Sequence, residues 1–246
     1  MCAIKNKKME TTFDLRKILG LEEDKEIVIK KKYSEKLINY YKNIDEDEDF
    51  SRTERCGKHI LAAIAFRENA KSTFEKTQSV FLPSIGNYYA YFHLSVAMLS
   101  LDYGTPTNKL EKLKHTQLQK LVKSNLEERG IINESHLKIM LWLKEIREIS
   151  NYSINPYLYD STGLLQEDLY DKQGMYNLME KSFQDAINFI HFVTKKVSNH
   201  REYFGDRIES FIVDSQGDDI LMVYFSKDDE ETIEKYLEEH FYPGLR

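Results

Sequence analysis

Residues that interrupt helices are scarce in this sequence. Only four prolines and ten glycines occur among 246 residues, and both residue types weaken or break helices. Long helices therefore suit the composition better than a β architecture with many turns. A chain of this length can also bury a sizeable core without disulfide staples. We expect a mainly α protein.

Cysteine is nearly absent as well. Cys2 and Cys56 are too few for a disulfide framework, and neither has a second Cys or a His at metal-ligand spacing. The seven histidines are scattered, without a pair four residues apart. We therefore expect no metal, no other cofactor and a reducing, cytoplasmic location.

Long apolar runs and a surplus of positive charge are also missing. No stretch of about 18 apolar residues occurs, so the sequence predicts no membrane span. The basic N-terminus lacks an apolar region behind it, so we expect no secretory signal. The net charge of −6 disfavours broad nucleic-acid binding, which depends on neutralised phosphates. Any contact with RNA must be local.

The chain is predicted to have three parts. Residues 1–52 form a helical flank, and its acidic run Asp45–Asp49 is predicted to be a solvated linker because like charges repel. Residues 53–199 form a helical bundle. Residues 200–246 form a small ββα appendix, because Glu209–Val213 and Asp219–Phe225 are typical of a hairpin and a helical pattern follows them.

Helical periodicity divides the central part further. The segment from Ser84 to Leu101 is apolar on nearly every side, which is typical of a helix at the centre of a core. A basic helix follows the break at Pro106 and ends near Gly130, a plausible position for a left-handed glycine. Ser135 is a candidate cap for the next helix, which carries Arg147.

Arg147 is the best single candidate for a functional side chain. On a helix it shares a face with Asn151, beside the apolar stripe. The planar guanidinium could hold two phosphate oxygens at once. Alternatively, it pairs with a carboxylate such as Glu148 of a neighbouring copy, or extends along the bundle surface into solvent.

A basic helix face offers a second candidate site. Lys112, Lys114, His115 and Lys120 collect positive charge in an otherwise acidic chain, and RNA could bind there. A simple solvated helix face is the alternative. His93 lies among aromatic residues and is predicted to be a hydrogen-bonded core residue.

Two segments together resemble a known superfamily. Residues 84–93 read SIGNYYAYFH, and residues 147–152 read REISNY. In order and spacing they resemble the HEPN superfamily (higher eukaryotes and prokaryotes nucleotide-binding domains), over about residues 53–199. The resemblance implies an up-and-down helical bundle that often forms a homodimer. It also implies, for many members, a metal-independent endoribonuclease in a toxin–antitoxin or phage-defence system.

The resemblance also implies a catalytic set. In such members an Arg and a His in the pattern R-x(4–6)-H meet across the dimer. Arg147 matches the arginine, but Tyr152, Ser153 and Ile154 occupy the positions allowed for the histidine. The set carried over is therefore Arg147, which would bind the scissile phosphate, with Asn151 and Tyr152; His115 or Tyr152 could replace the missing acid–base group.

The missing histidine favours a second hypothesis from another class of function. The protein would then be a catalytically inactive HEPN-like scaffold that binds a partner protein such as a nucleotidyltransferase. A third hypothesis is a small-ligand sensor that uses the aromatic core.

Overall fold

The computed structural model describes residue 29 and residues 31–77, 81–111, 113–152 and 172–213. Within these ranges the chain is mainly helical, as predicted, and contains no β-strand. The same ranges hold no helix with the length and apolar character needed to cross a bilayer. The helices are α1 (Lys31–Asn43), α2 (Glu46–Thr77), α3 (Phe81–Leu101), a 3-10 turn (Thr107–Lys109), α4 (His115–Leu121), a π-helical turn (Val122–Glu127), α5 (Glu134–Tyr152), α6 (Lys172–Ser198) and α7 (Phe204–Val213).

Helix α3 lies at the centre of the bundle. It packs along α2 more extensively than any other described pair of helices does, and it also contacts α4, α5 and α6. Every residue from Leu94 to Leu101 is buried. The prediction that this segment is the centre of the core is confirmed for residues 94–101, whereas residues 84–87 are only half-buried.

The acidic run Asp45–Asp49 is not a linker. Residues 46–49 form the first turn of α2, where carboxylates interact favourably with the positive end of the helix dipole. The Asp45 carboxylate accepts the Glu48 N–H at 2.8 Å, as a cap does. Asp49 is 1% exposed and lies 3.1 Å from Arg207 Nη1. Capping and pairing offset the repulsion, and the predicted boundary after residue 52 falls inside α2.

Helices α1 and α7 share the core of the central helices. Tyr33 and Tyr41 of α1, and Phe204 and Ile208 of α7, belong to one buried apolar cluster with α3. The rings of Tyr41 and Phe204 are 5.0 Å apart, edge to face. Arg201 donates from Nε to the Tyr41 carbonyl at 2.8 Å, and so joins the α6–α7 turn to the end of α1. The two helices are therefore integral to the bundle.

The prediction of a β-strand at Glu209–Val213 is wrong. These residues end helix α7. Phe204 and Ile208 lie one turn apart on α7 and are buried. Phe211 lies about one turn further along α7, and its ring packs against that of Phe50 of α2, with the ring centroids 6.0 Å apart. The apolar run therefore follows a helical period set by packing against α2. The predicted second strand, the C-terminal helix and the flank before residue 29 lie outside the described residues.

The basic segment is interrupted and does not form one helix. The 3-10 turn comes first, and α4 then passes directly into the π-helical turn. The buried residues Leu118, Val122 and Leu126 stay on one face because the wider turn rotates the chain less per residue. Gly130 follows with φ 67°, which confirms the glycine prediction.

A buried polar network fixes the loop between α3 and α4. Arg52 is 1% exposed, and its guanidinium donates to one carboxylate and three carbonyls at 2.8–3.2 Å: Glu48, Ser100, Asp102 and Thr105. The Asp102 carboxylate also accepts from Arg129 Nη1 at 2.8 Å. The network anchors the chain that leads to α4.

Candidate functional site

Arg147 is buried against two tyrosines of α3. The residue is 8% exposed. Its Cζ atom lies 4.6 Å from the ring centroid of Tyr88 and 5.9 Å from that of Tyr89. The guanidinium therefore interacts with aromatic faces and does not extend along the surface into solvent.

The hydrogen-bonding capacity of Arg147 is poorly used. Within the described part of the chain, its Nε has no hydrogen-bond partner. Nη1 reaches the Tyr89 hydroxyl at 3.4 Å, which is long for a hydrogen bond, and Nη2 is 3.9 Å from the Glu148 carboxylate. A buried cation is normally paired and hydrogen-bonded. Such an arrangement suits the binding of an external anion.

Tyr88 brings His115 into the same cluster. The Tyr88 hydroxyl lies 2.6 Å from His115 Nδ1. His115 is the first residue of α4, and its ring also packs on Phe92 with centroids 4.8 Å apart. One tyrosine thus contacts both the guanidinium of Arg147 and the imidazole of His115.

The surroundings favour the neutral form of His115. Burial, followed by the charges of Arg147 and Lys144, lowers its pKa below the ordinary value, and Glu148 acts in the opposite direction. Burial likewise raises the pKa of Tyr88 to about 12. The cluster therefore combines a fixed cation with a neutral imidazole and a neutral phenol.

Lys144 and Glu148 form the outer edge of the cluster on α5. Lys144 Nζ is 3.4 Å from Glu148 Oε1, and the two side chains are 26% and 46% exposed. They lie closer to solvent than Arg147 does. With two cations and one carboxylate, the group of Arg147, Lys144 and Glu148 carries net positive charge in an acidic protein.

The other predicted site residues stand in different places. Lys114 and Lys120 are exposed, and Lys114 directly precedes His115. Lys112 lies outside the described residues. Helix α5 continues through Asn151 and Tyr152, but their side chains also lie outside the part that the structure describes.

Tyr88 and Lys144 belong to the cluster although sequence reasoning assigned them no role. A tyrosine on an otherwise apolar helix usually needs a partner for its hydroxyl, which was the available signal for Tyr88. Lys144 lies one turn before Arg147 and four residues before Glu148, a spacing that places side chains on neighbouring faces. Neither signal predicts that His115, at the start of α4, contacts Tyr88.

His93 is hydrogen-bonded, as predicted. Its Nδ1 lies 2.7 Å from His59 Nδ1, and its ring stacks on Phe66 with centroids 5.4 Å apart. Burial lowers the pKa of His93 to about 4 and is the main cause that lowers the pKa of His59 to about 3. The neutral pair joins α2 to α3.

Acidic, histidine and cysteine side chains do not gather into a metal-binding group of three or more among the described residues. Cys56 is fully buried, and burial raises the pKa of its thiol, so it remains protonated. The cluster around Arg147 consists of a guanidinium, an imidazole and a phenol, which are groups suited to anion binding and proton transfer.

No protein-family model, no curated protein and no solved structure matches this chain.

Proposed function

We propose that this protein is an RNA-binding endoribonuclease that acts without a metal at the cluster of Arg147, His115 and Tyr88. One observation carries the proposal: a buried guanidinium with an unused Nε and an imidazole whose pKa is lowered both contact the same tyrosine, Tyr88. Together they supply the two functions that RNA cleavage needs, a positive charge for the phosphate and a group that accepts a proton.

Arg147 binds the phosphate in this proposal. Its unused Nε and its loosely paired Nη atoms match two phosphate oxygens, and the aromatic surroundings strengthen the charge interaction because water is excluded. Lys144 adds positive charge at the solvent side. Binding is local, which is compatible with a net charge of −6.

His115 acts as the general base in place of the histidine missing from the R-x(4–6)-H pattern. When Nδ1–H donates to the Tyr88 hydroxyl, Nε2 keeps a free lone pair. Nε2 takes the proton of a ribose 2′-hydroxyl, O2′ attacks phosphorus, and the bond to the 5′-oxygen breaks. The products are a 2′,3′-cyclic phosphate and a 5′-oxygen that takes a proton from solvent, and His115 then returns its proton to solvent.

The wider setting follows the resemblance. We propose a HEPN-like, up-and-down bundle that forms a homodimer in the cytoplasm, as part of a toxin–antitoxin or phage-defence system. What supports this is the order of the SIGNYYAYFH and REISNY segments and their meeting at Tyr88 and Arg147 in a helical bundle.

The test uses the purified protein, EDTA and a labelled single-stranded RNA. We expect cleavage to persist in EDTA, and His115→Gln to reduce the rate by roughly 10²-fold, the low end for loss of a general base, with RNA affinity little changed. Arg147→Lys keeps the charge but loses the planar fork, so both affinity and rate should fall.

Two matched variants control this experiment. His200→Gln removes an exposed histidine, and Arg67→Lys alters an arginine that pairs with Glu180 instead. Neither should change the rate by more than about twofold. Cleavage that EDTA abolishes, or a His115→Gln variant with the full rate, would refute the nuclease proposal.

A second candidate is the inactive scaffold that binds a partner such as a nucleotidyltransferase. The packing of Arg147 on Tyr88 favours it, because a cation–π contact also stabilises a bundle that does no chemistry. The motif histidine is missing too. A stable complex with a nucleotidyltransferase encoded by a neighbouring gene would support this candidate, whereas metal-free RNA cleavage by the protein alone would contradict it.

A further inference from the structure

Glu148 is placed where it must affect any anion that approaches Arg147. Its Oε1 is 3.9 Å from Arg147 Nη2 and 3.4 Å from Lys144 Nζ. Its negative charge also shifts the pKa values of His115 and Tyr88 upward. For His115 this effect opposes the larger lowering by burial and by the two cations. One carboxylate thus faces both cations of the cluster.

The contacts of Glu148 are loose. Charge-assisted hydrogen bonds between nitrogen and a carboxylate are about 2.7–2.9 Å long, and both of its ion pairs exceed this range. The side chain is 46% exposed, so solvent screens the pairs and they contribute little to stability. Such a carboxylate can rotate away from the cluster at little cost.

We propose that Glu148 is an internal competitor for the anion: its carboxylate lies at the approach to Arg147 and Lys144 until an RNA phosphate displaces it. This inference rests on the proposed function and adds a form of regulation to the same site. A phosphate must first move a like charge aside, so weakly bound RNA is excluded. Displacement also frees Lys144 to contact the phosphate.

The competition predicts a gain in affinity when the charge is removed. Glu148→Gln keeps the shape of the side chain but ends the repulsion of the phosphate. We expect the Kd for a short single-stranded RNA to fall roughly three- to tenfold at low salt, within the range of a single partly exposed charge. The gain should shrink as salt screens the interaction.

Glu145→Gln provides the matched control. Glu145 is exposed on the same helix, and its substitution changes the net charge by the same amount. Affinity is measured by fluorescence anisotropy in a His115→Gln background, so that RNA is not cut during the titration. We expect Glu145→Gln to change the Kd by less than about twofold, since side chains two residues apart on a helix, such as Glu145 and Arg147, do not face each other.

A second readout is independent of RNA. In the otherwise unaltered protein, NMR titration of His115 should give a lower pKa for Glu148→Gln and an unchanged one for Glu145→Gln, because Glu148 raises that pKa. An equal shift in both variants would mean that only net charge matters.

The binding results distinguish failure of the competitor role from failure of the proposed function. If RNA binds in a manner that depends on Arg147, but Glu148→Gln weakens binding or matches Glu145→Gln, then only the competitor role is overturned. If neither the parent protein nor Glu148→Gln binds RNA, or if Arg147→Lys has no effect on binding, then the proposed function fails and the competitor role fails with it.

Discussion

Two buried arginines of this protein have different surroundings. Arg52 uses its guanidinium fully, with a carboxylate and three carbonyls as partners. Arg147 is nearly as buried, but its Nε has no partner among the described residues and its Nη2 lies 3.9 Å from the Glu148 carboxylate. A satisfied guanidinium stabilises the fold, whereas an unsatisfied one can bind a ligand. Because of this contrast we propose Arg147, and not Arg52, as the residue that binds a ligand.

Tyr88 is predicted to position His115. Tyr88→Phe removes the 2.6 Å contact with His115 Nδ1 but keeps the ring beneath Arg147. We expect RNA affinity within about twofold and a cleavage rate lowered by roughly tenfold, part of the 10²- to 10⁴-fold effect of a general base. Single-turnover kinetics would separate the two effects. A parallel loss of binding would mean that Tyr88 acts on Arg147 instead.

Tyr203 has a strained backbone. Its φ is 64°, in the left-handed region that side chains with a Cβ adopt at a cost. The side chain is 61% exposed, so little packing is lost on truncation. We expect Tyr203→Gly to raise the Tm by about 2 °C. The control, Glu202→Gly, should lower the Tm, because Glu202 has no left-handed backbone conformation and glycine then only loses more conformational entropy on folding. A lower Tm for Tyr203→Gly would show that the backbone at Tyr203 is not strained.

At the scale of helices, the contact between α2 and α3 depends on Gly86. A Cβ added there would lie 2.9 Å from Ala70 Cβ and 3.1 Å from the Phe66 carbonyl oxygen, and neither neighbour is the end of a flexible side chain. We expect Gly86→Ala to lower the free energy of unfolding by roughly 1–3 kcal/mol, as overpacking does. This should outweigh the better helix propensity of alanine, which is worth about 1 kcal/mol.

A double-mutant cycle tests the cause. Ala70→Gly removes the nearest clashing atom, so Gly86→Ala should cost less in that background, and denaturant unfolding measures the coupling free energy. If the free-energy changes of Gly86→Ala and Ala70→Gly are additive, the Cβ atom at position 86 does not clash with Ala70. If Gly86→Ala stabilises the protein, the helices can separate without loss.

At the scale of the whole molecule, buried histidines join helices that are distant in sequence. His136 of α5 lies 2.9 Å from Ser95 Oγ of α3 and 3.0 Å from Ser182 Oγ of α6. Burial lowers its pKa to about 4. With the pair His59–His93, three imidazoles must stay neutral for the bundle to remain packed.

Acid should therefore destabilise the fold through these groups. Above pH 6.5 each imidazole is neutral in both states, and its contribution is complete. As the pH falls from about 6.5 toward 4, the unfolded chain binds protons that the folded chain does not. The free energy of unfolding then decreases by up to about 1.4 kcal/mol per pH unit for each histidine.

Urea unfolding between pH 4 and 7.5 would measure this effect. His136→Gln can still hydrogen-bond to both serines but does not titrate, so its pH dependence should be shallower than that of the parent protein. His200→Gln removes an exposed histidine and should leave the slope unchanged. Parallel curves for the parent and His136→Gln would contradict the linkage.

The periodic segments allowed much of the helical fold to be predicted. The all-apolar pattern around Leu94 placed α3 in the core, and Gly130 marked the end of the basic segment. Helix starts were less predictable: the side chain of Asn133, not Ser135, caps α5 by accepting the Ser135 N–H at 3.2 Å. Both residue types are good caps, and only the backbone geometry distinguishes them.

Composition and periodicity by themselves determined the helical class and the central helix, because burial requires a matching pattern of apolar residues along each helix. Packing decided the rest. The acidic run became a helix start through its contact with Arg207, and residues 209–213 became helical against α2. His115 and Arg147, from different helices, both contact Tyr88. A linear pattern records which face of a helix is buried, but the neighbour that buries it is fixed only when the chain folds.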